Sequence, residues 1–244
     1  MAAWRAARLL VRLLAACAAP VAEGLSSYAQ DTAGPAHGGP KNLLADHHHG
    51  WKHHWHHLLV AALSPCGKWA VTSDKSGATT WWNTKRGTSL KFGGGSAGQY
   101  WVRSAVFSPD GGQVLTASHD ETARLWDATT GNVLQTFEGH TLWVVSAVFS
   151  PGGGQVLTAS VDETARLWDA TTGNVLRTFE GHTGYVSSAV FSPGGGQVLT
   201  ASYDETARLW DATTGNVLQN FKGHTNWVGS AVFSPDGGQV LTAS

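Results

Sequence analysis

An excess of charge of either sign is missing. Sixteen Lys and Arg stand against seventeen Asp and Glu, a net charge of −1. That balance provides no electrostatic footprint for nucleic acid or an anionic membrane surface. Cysteine is scarce: Cys17 and Cys66 are the only two, too few for a disulfide framework and silent on compartment. There is no phosphate-binding Gly loop, no metal-ligand set of fixed spacing and no isolated activated nucleophile. What is plentiful is glycine, 30 residues, and tryptophan, 12. That combination fits a turn-rich all-β protein. A length of 244 residues accommodates one large domain or two small ones.

The chain is organised by a repeat. Ser104, Ser146, Ser188 and Ser230 each open a copy of one unit, 42 residues apart, and the first two full copies differ at six positions. A fixed period of this size means a repeat architecture. In the copy from Ser146, Ala147-Val148-Phe149 runs into a Ser150-Pro151-Gly turn. Gln155 to Ser160 follows, then a tight Asp162-Glu163. Thr164 to Trp168, an Ala170-Thr171-Thr172-Gly173-Asn174 turn and Val175 to Phe179 complete the unit. Short apolar segments divided by Pro, Gly, Asn and Asp clusters predict four antiparallel strands per unit. One such sheet cannot bury both faces alone; stacked neighbours can, in a propeller or a solenoid.

Gly139-His140 pairs with Trp168-Asp169, Gly181-His182 with Trp210-Asp211, and Gly223-His224 opens a unit with no Trp-Asp. These residues, in register, resemble the WD-repeat family across residues 53–244. The resemblance implies an all-β β-propeller of four-stranded antiparallel blades, about four and a half of them here. The expected blades are 53–95 (degenerate), 96–137, 138–179, 180–221 and a partial 222–244. In the first, Trp82-Asn83 replaces Trp-Asp and Ser76 stands at the Asp position. In the second, Ala97-Gly98 replaces Gly-His. Closed propellers have about four to eight blades, and a sheet cut after its second strand exposes an unpaired edge. The expectation is therefore a fragment of a longer array, or an open arc closed by self-association through that edge. The near-identical copies also look like the sensor arrays of NACHT-type signalling proteins.

Residues 1–19 carry Arg5, Arg8 and Arg12 and no acid. They are a candidate targeting segment of organelle, secretory or lipoprotein type, with no targeting role as the alternative. Location follows from that choice: organellar or secreted with a signal, cytoplasmic without. Three Arg in 19 residues make a poor transmembrane helix, and no membrane span is expected. Residues 20–52 read as a Gly, Pro and His-rich linker. The tract His47 to His57 could ligate Zn²⁺, Ni²⁺ or Cu²⁺, but it lacks fixed ligand spacing and a Cys partner. A solvated polar tract is the blander alternative.

His, Thr and Asp recur at fixed offsets in the full units, the composition of a hydroxyl–His–carboxylate triad. A site copied in successive units is more often a structural device. The resemblance implies hydrogen-bonded tetrads, here His140-Thr158-Asp162-Trp168 and His182-Thr200-Asp204-Trp210. An active site in a central channel would need a His or carboxylate found in one blade only. His119 is the sole candidate, and one residue is not a mechanism. No catalysis and no cofactor are expected.

Differences between copies are concentrated. One set is His119, Val161 and Tyr203, between the second and third strands. The other comprises Tyr100-Trp101, Leu142-Trp143, Gly184-Tyr185 and Asn226-Trp227, before the first strand, with Arg103, Val145, Ser187 and Gly229 just beyond. In an antiparallel meander both links emerge on one rim. The expected function is a protein or peptide-binding face formed by Tyr100, Trp101, Arg103, His119, Leu142, Trp143, Val161, Tyr185, Tyr203, Asn226 and Trp227. Amphipathic aromatics are preferred interface anchors. The alternative is that these rings pack between blades and that the variation is drift.

Overall fold

A computed structural model describes residues 58–74, 79–92 and 101–244. Every regular element among them is a strand, so none is a helix able to cross a membrane. The first sheet comprises β1 (Leu58–Leu63), β2 (Trp69–Asp74), β3 (Thr79–Asn83) and β4 (Ser89–Phe92). The second comprises β5 (Val102–Phe107), β6 (Gln113–Ser118), β7 (Ala123–Asp127) and β8 (Val133–Phe137). The third comprises β9 (Val144–Phe149), β10 (Gln155–Ser160), β11 (Ala165–Asp169) and β12 (Val175–Phe179). The fourth comprises β13 (Val186–Phe191), β14 (Gln197–Ser202), β15 (Ala207–Asp211) and β16 (Val217–Phe221). A final pair comprises β17 (Ser230–Phe233) and β18 (Val240–Ala243). Each four-stranded sheet is a meander in sequence order, antiparallel throughout.

The second strand of each unit shows how the sheets stack. Val156 to Ser160 in β10 are all buried, because a neighbouring sheet covers each face. β6 packs on β9, β10 on β13 and β14 on β17. The outer strand β12 instead alternates exposed and covered residues, as expected where one face meets water. At the second junction Leu115, Leu125 and Phe137 meet Val156, Trp168 and Ala170 of the next sheet. At the third, Leu157, Leu167 and Phe179 meet Val198, Trp210 and Ala212. These are the same residue types 42 positions on, so one junction is reproduced by the next. Each fully buried Phe or Trp contributes on the order of 2–3 kcal/mol.

Two local features differ from the expectation. The first strand begins at Val144 rather than Ala147, because a bulge carries it further. Ala159 pairs with Ser146 but Ser160 pairs with Val144, leaving Val145 as the extra residue. Ser187 and Arg103 occupy the same bulge in β13 and β5. This variable position is therefore the one residue of the strand released from the ladder. The second feature is the turn between the second and third strands. Glu121, Glu163 and Glu205 lie at φ 68°, 68° and 65°, in the left-handed region that Glu adopts only at a cost of about 1–2 kcal/mol. Their side chains are exposed, so the strain belongs to the backbone. Replacing all three with Asn, which tolerates this conformation, is expected to raise stability by about 1 kcal/mol or more, read as a higher midpoint in urea. An unchanged or lower midpoint refutes the strain assignment.

Candidate functional site

In the third sheet, Trp168 Nε1–H donates to Thr158 Oγ1 at 2.8 Å. His140 Nε2 lies 2.7 Å from the same hydroxyl, and His140 Nδ1 lies 2.7 Å from Asp162 Oδ2. One direction satisfies every group: Trp donates to Thr, Thr to His Nε2, and His Nδ1–H to the carboxylate. The fourth sheet repeats this chain through Trp210, Thr200, His182 and Asp204, at 2.9, 2.7 and 2.7 Å. Both imidazole side chains are fully shielded from solvent. Burial pushes Asp162 upward, yet hydrogen bonds from His140 and Thr164 outweigh it and hold its carboxyl well below the usual range. Burial likewise raises Asp204, and hydrogen bonds from Thr206 and His182 bring it down to about 2. Burial lowers His182, keeping it a neutral imidazole beside an ionised carboxylate. Each histidine spends both ring nitrogens on Thr and Asp, and the Thr hydroxyl is shared with the Trp N–H.

The glycine of Gly-His is favoured by its backbone, which takes a positive φ in all three copies. Gly139 sits at φ +143°, and a Cβ there would strike the Arg166 guanidinium. Trp82 donates to Thr72 and Trp126 to Thr116, both at 2.9 Å, so the first two sheets retain the Trp–Thr half. In the second, Asp120 is instead ion-paired with Arg124 at 2.6 Å. In the final pair, His224 Nε2 lies 2.7 Å from Thr242 Oγ1. Ser76, Ala97, Gly98, Tyr100 and the tract His47 to His57 lie outside the described residues. Among the described residues no group of three or more His, Cys, Asp or Glu side chains could hold a metal ion.

The variable residues form a ladder of rings along one rim. His119 stacks on Trp143 at 4.1 Å with planes 3° apart, and Trp101 lies 5.3 Å from His119 on the other side. Tyr203 stacks on Trp227 at 4.7 Å and 4°, with Tyr185 at 5.7 Å. The two variable sets thus interleave: His119 and Tyr203, from the turns of the second and fourth sheets, each contact rings from two successive sheet entries. Main-chain bonds set the spacing. The amide N–H groups of His119, Val161 and Tyr203 donate to the carbonyls of Trp101, Trp143 and Tyr185 at 3.0, 3.0 and 2.9 Å. Trp101, Trp143, Tyr185 and Trp227 remain 47–59% exposed, so they line the surface instead of filling the junctions. Leu142 and Asn226 adjoin the rings and Arg103 lies on the bulge, all exposed. Burial and the nearby Arg103 charge lower the His119 pKa, leaving a neutral ring in the stack.

One cavity lies away from this rim. About 450 Å³ lies among Leu209, Phe221, Phe233 and Val240, between the fourth and fifth sheets. At the preceding junction the equivalent Leu167, Phe179, Phe191 and Val198 surround Trp210 and Ala212. The apolar side of the cavity is thus built from residue types that recur at the junction before it, and Gln197 and Gln239 also line it. A tie between sheets escapes sequence reasoning altogether. Arg177 Nε donates to the carbonyl of Thr213 in the next sheet at 2.6 Å. Its counterpart Gln135 lies so close to Gly173 (φ +75°) that a Cβ there would collide with it. The Gln135/Arg177 difference falls on a contact between sheets.

The sequence matches the family model described as "WD domain, G-beta repeat" over residues 89–127, 131–169, 173–211 and 215–244, more than half of the chain. It is similar to WD repeat-containing protein 1 of Gallus gallus, 32% identical over 85 residues, which is 34% of this chain and 14% of that protein. It is also similar to Pre-mRNA-processing factor 19 of Oryza sativa subsp. japonica, 31% identical over 92 residues, 38% of this chain and 18% of that protein. The matched segments span less than a fifth of either relative's length.

Removing one tetrad member orphans the others in a buried setting. His140→Ala is expected to lower unfolding free energy by about 2–4 kcal/mol, measured by urea denaturation; an unchanged midpoint refutes the role. The pKa directions fix a pH dependence. A His182 depressed in the folded state takes up its proton first in the unfolded chain, so stability falls as pH drops below about 6.5. Asp204, at about 2 when folded, gives a second loss as pH falls from about 4 toward 2. Thermal midpoints recorded from pH 8 to 3 should decline with acid and be flat above neutrality. A midpoint that rises on acidification refutes the neutral-His assignment.

Proposed function

The chain belongs to the WD-repeat family, and from that premise we propose that its aromatic rim is a docking face for a protein or peptide partner. Repeats of this family serve generally as non-catalytic protein-interaction scaffolds. The observation that supports this rim over other surfaces is the ladder itself. Five large aromatic side chains, Trp101, Trp143, Tyr185, Tyr203 and Trp227, stand 38–59% exposed on one edge of the stacked sheets. Stacking already fixes several of these rings, so little side-chain entropy remains to be lost on binding. Rigid aromatics with polar tips make efficient anchors. The opposite turns, built on Asp127, Asp169 and Asp211, are the same in every complete unit: each carboxylate accepts from two backbone amides and one Thr hydroxyl. They are structural turns with few groups left to offer a partner.

The near-identity of the copies favours a narrower form of the same proposal, a ligand-sensing array within a larger NACHT-type signalling protein. The intact mass of the protein from its source cells tests that form. A mass near 25.7 kDa removes it.

The rim proposal is tested by panning a phage-displayed random peptide library on the full chain. Selected peptides are expected to lose roughly tenfold or more in affinity to Trp143→Ala or Trp227→Ala, and to bind Thr172→Ala on the opposite turns unchanged. Peptides sensitive to Thr172 and indifferent to both tryptophans would place the docking face elsewhere.

A further inference from the structure

The ring ladder is interrupted once. In the second sheet's turn His119 provides a ring, and in the fourth sheet's turn Tyr203 provides one. In the third the same position is Val161, a branched aliphatic that ends two bonds beyond its Cα. Its backbone is placed as in the other two: the Val161 amide donates to Trp143 at 3.0 Å, as His119 does to Trp101 at 3.0 Å and Tyr203 to Tyr185 at 2.9 Å. The flanking rings, Trp143 and Tyr185, each stand 49% exposed. Trp143 is stacked against His119 on one side, and Tyr185 lies against Tyr203 on one side. Among the described residues, Trp143 and Tyr185 make no ring contact beyond these.

From this juxtaposition we propose that the position above Val161, between Trp143 and Tyr185, takes an aromatic side chain contributed by a peptide partner. The inference rests on the rim being a docking face, and it specifies the chemistry of the occupant. The chain itself supplies the argument for that chemistry. In the two equivalent interstices the natural occupants are an imidazole and a phenol, each in near-parallel contact with one neighbour, at 4.1 and 4.7 Å, and tilted toward the other. In both neighbouring turns the repeat therefore puts a ring at this position. Val161 has no ring to offer there, and Trp143 and Tyr185 stay half-exposed beside it. An uncharged flat ring suits both by offset stacking. The imidazole that fills the first interstice is itself kept neutral by burial and by Arg103, which supports an uncharged occupant over a guanidinium.

The test compares the full chain with Val161→Tyr, which places the ring of the fourth sheet's turn in the third. The variant is expected to fold with a thermal midpoint equal to or above the parent. A random peptide library is panned on the parent, and the selected peptides are then measured on Val161→Tyr, Trp143→Ala and Trp227→Ala. The expected result is enrichment of Tyr, Phe, Trp or His at one fixed peptide position. Affinity should fall roughly tenfold or more on Val161→Tyr, and substituting that peptide aromatic by Ala should cause a similar loss. Peptides that need Trp143 or Trp227 but bind Val161→Tyr as well as the parent would overturn the slot and leave the rim face standing. Enrichment of Arg at the sensitive position would likewise overturn an aromatic occupant. Failure to select any peptide sensitive to a rim substitution would overturn both the slot and the rim.

Discussion

A buried imidazole has two ring nitrogens, and both must find partners before the chain can close over it. That requirement fixes far more than one side chain. His140 stands three residues before Trp143, and Asp162 immediately follows Val161. The bond between them holds together the two loops that build the rim. Asp162 also accepts from the amide of Thr141 at 3.1 Å and, through its other oxygen, from Thr164. Ser160 Oγ donates to the carbonyl of Leu142 at 3.2 Å. Beneath the variable surface of the third and fourth sheets lies the same clamp, made of groups that cannot be left unsatisfied. The rings above it can change without disturbing the strands because their backbone is held from below.

The same arrangement separates stability from recognition by depth. Residues within the junctions, such as Phe137, Trp168, Phe179 and Trp210, are buried and repeat without change. Most variable residues lie on the rim, at the bulge, or at the contact between outer strand and next turn; Asp110 and Asp236, replaced by Gly152 and Gly194, vary in the exposed Ser-Pro turn. In each place the side chain leaves the ladder and meets solvent or a neighbour's backbone. A bulge residue such as Arg103, Val145 or Ser187 is free to vary because its Cβ no longer faces a strand partner.

Much of this was legible in the sequence. The recurrence of His, Thr and Asp at constant offsets was visible in successive copies, and it was the resemblance to the WD-repeat family that implied their joining with Trp in tetrads. Four strands per unit followed from turn residues. What sequence could not show was contact between units. His119 and Trp143 belong to different sheets, and each variable set could be identified by itself, yet their interleaving depends on how one sheet sits on the next. Arg177 and Thr213 are hidden for the same reason. The left-handed glutamates escaped notice because Glu carries no signature of that conformation; Gly or Asn at Glu163 would have announced it. Substitution of Arg124 for an imidazole beside Asp120 also required coordinates, because that arginine is present in every complete copy and pairs closely only in the second sheet.

The junctions described above are copies of one another, and this bears on inheritance. A gene with tandem stretches encoding nearly the same 42 residues is prone to misaligned recombination, which adds or deletes whole copies. In most proteins such an event would create an interface that had never been selected. Here Leu125 and Phe137 already fit the face that Val156 and Trp168 present, and Leu167 and Phe179 fit the same face on Val198 and Trp210. A copy inserted or lost in register joins surfaces that are already complementary. The array can lengthen, shorten or shuffle the order of its rim rings in a single genetic step, with the folding problem solved beforehand.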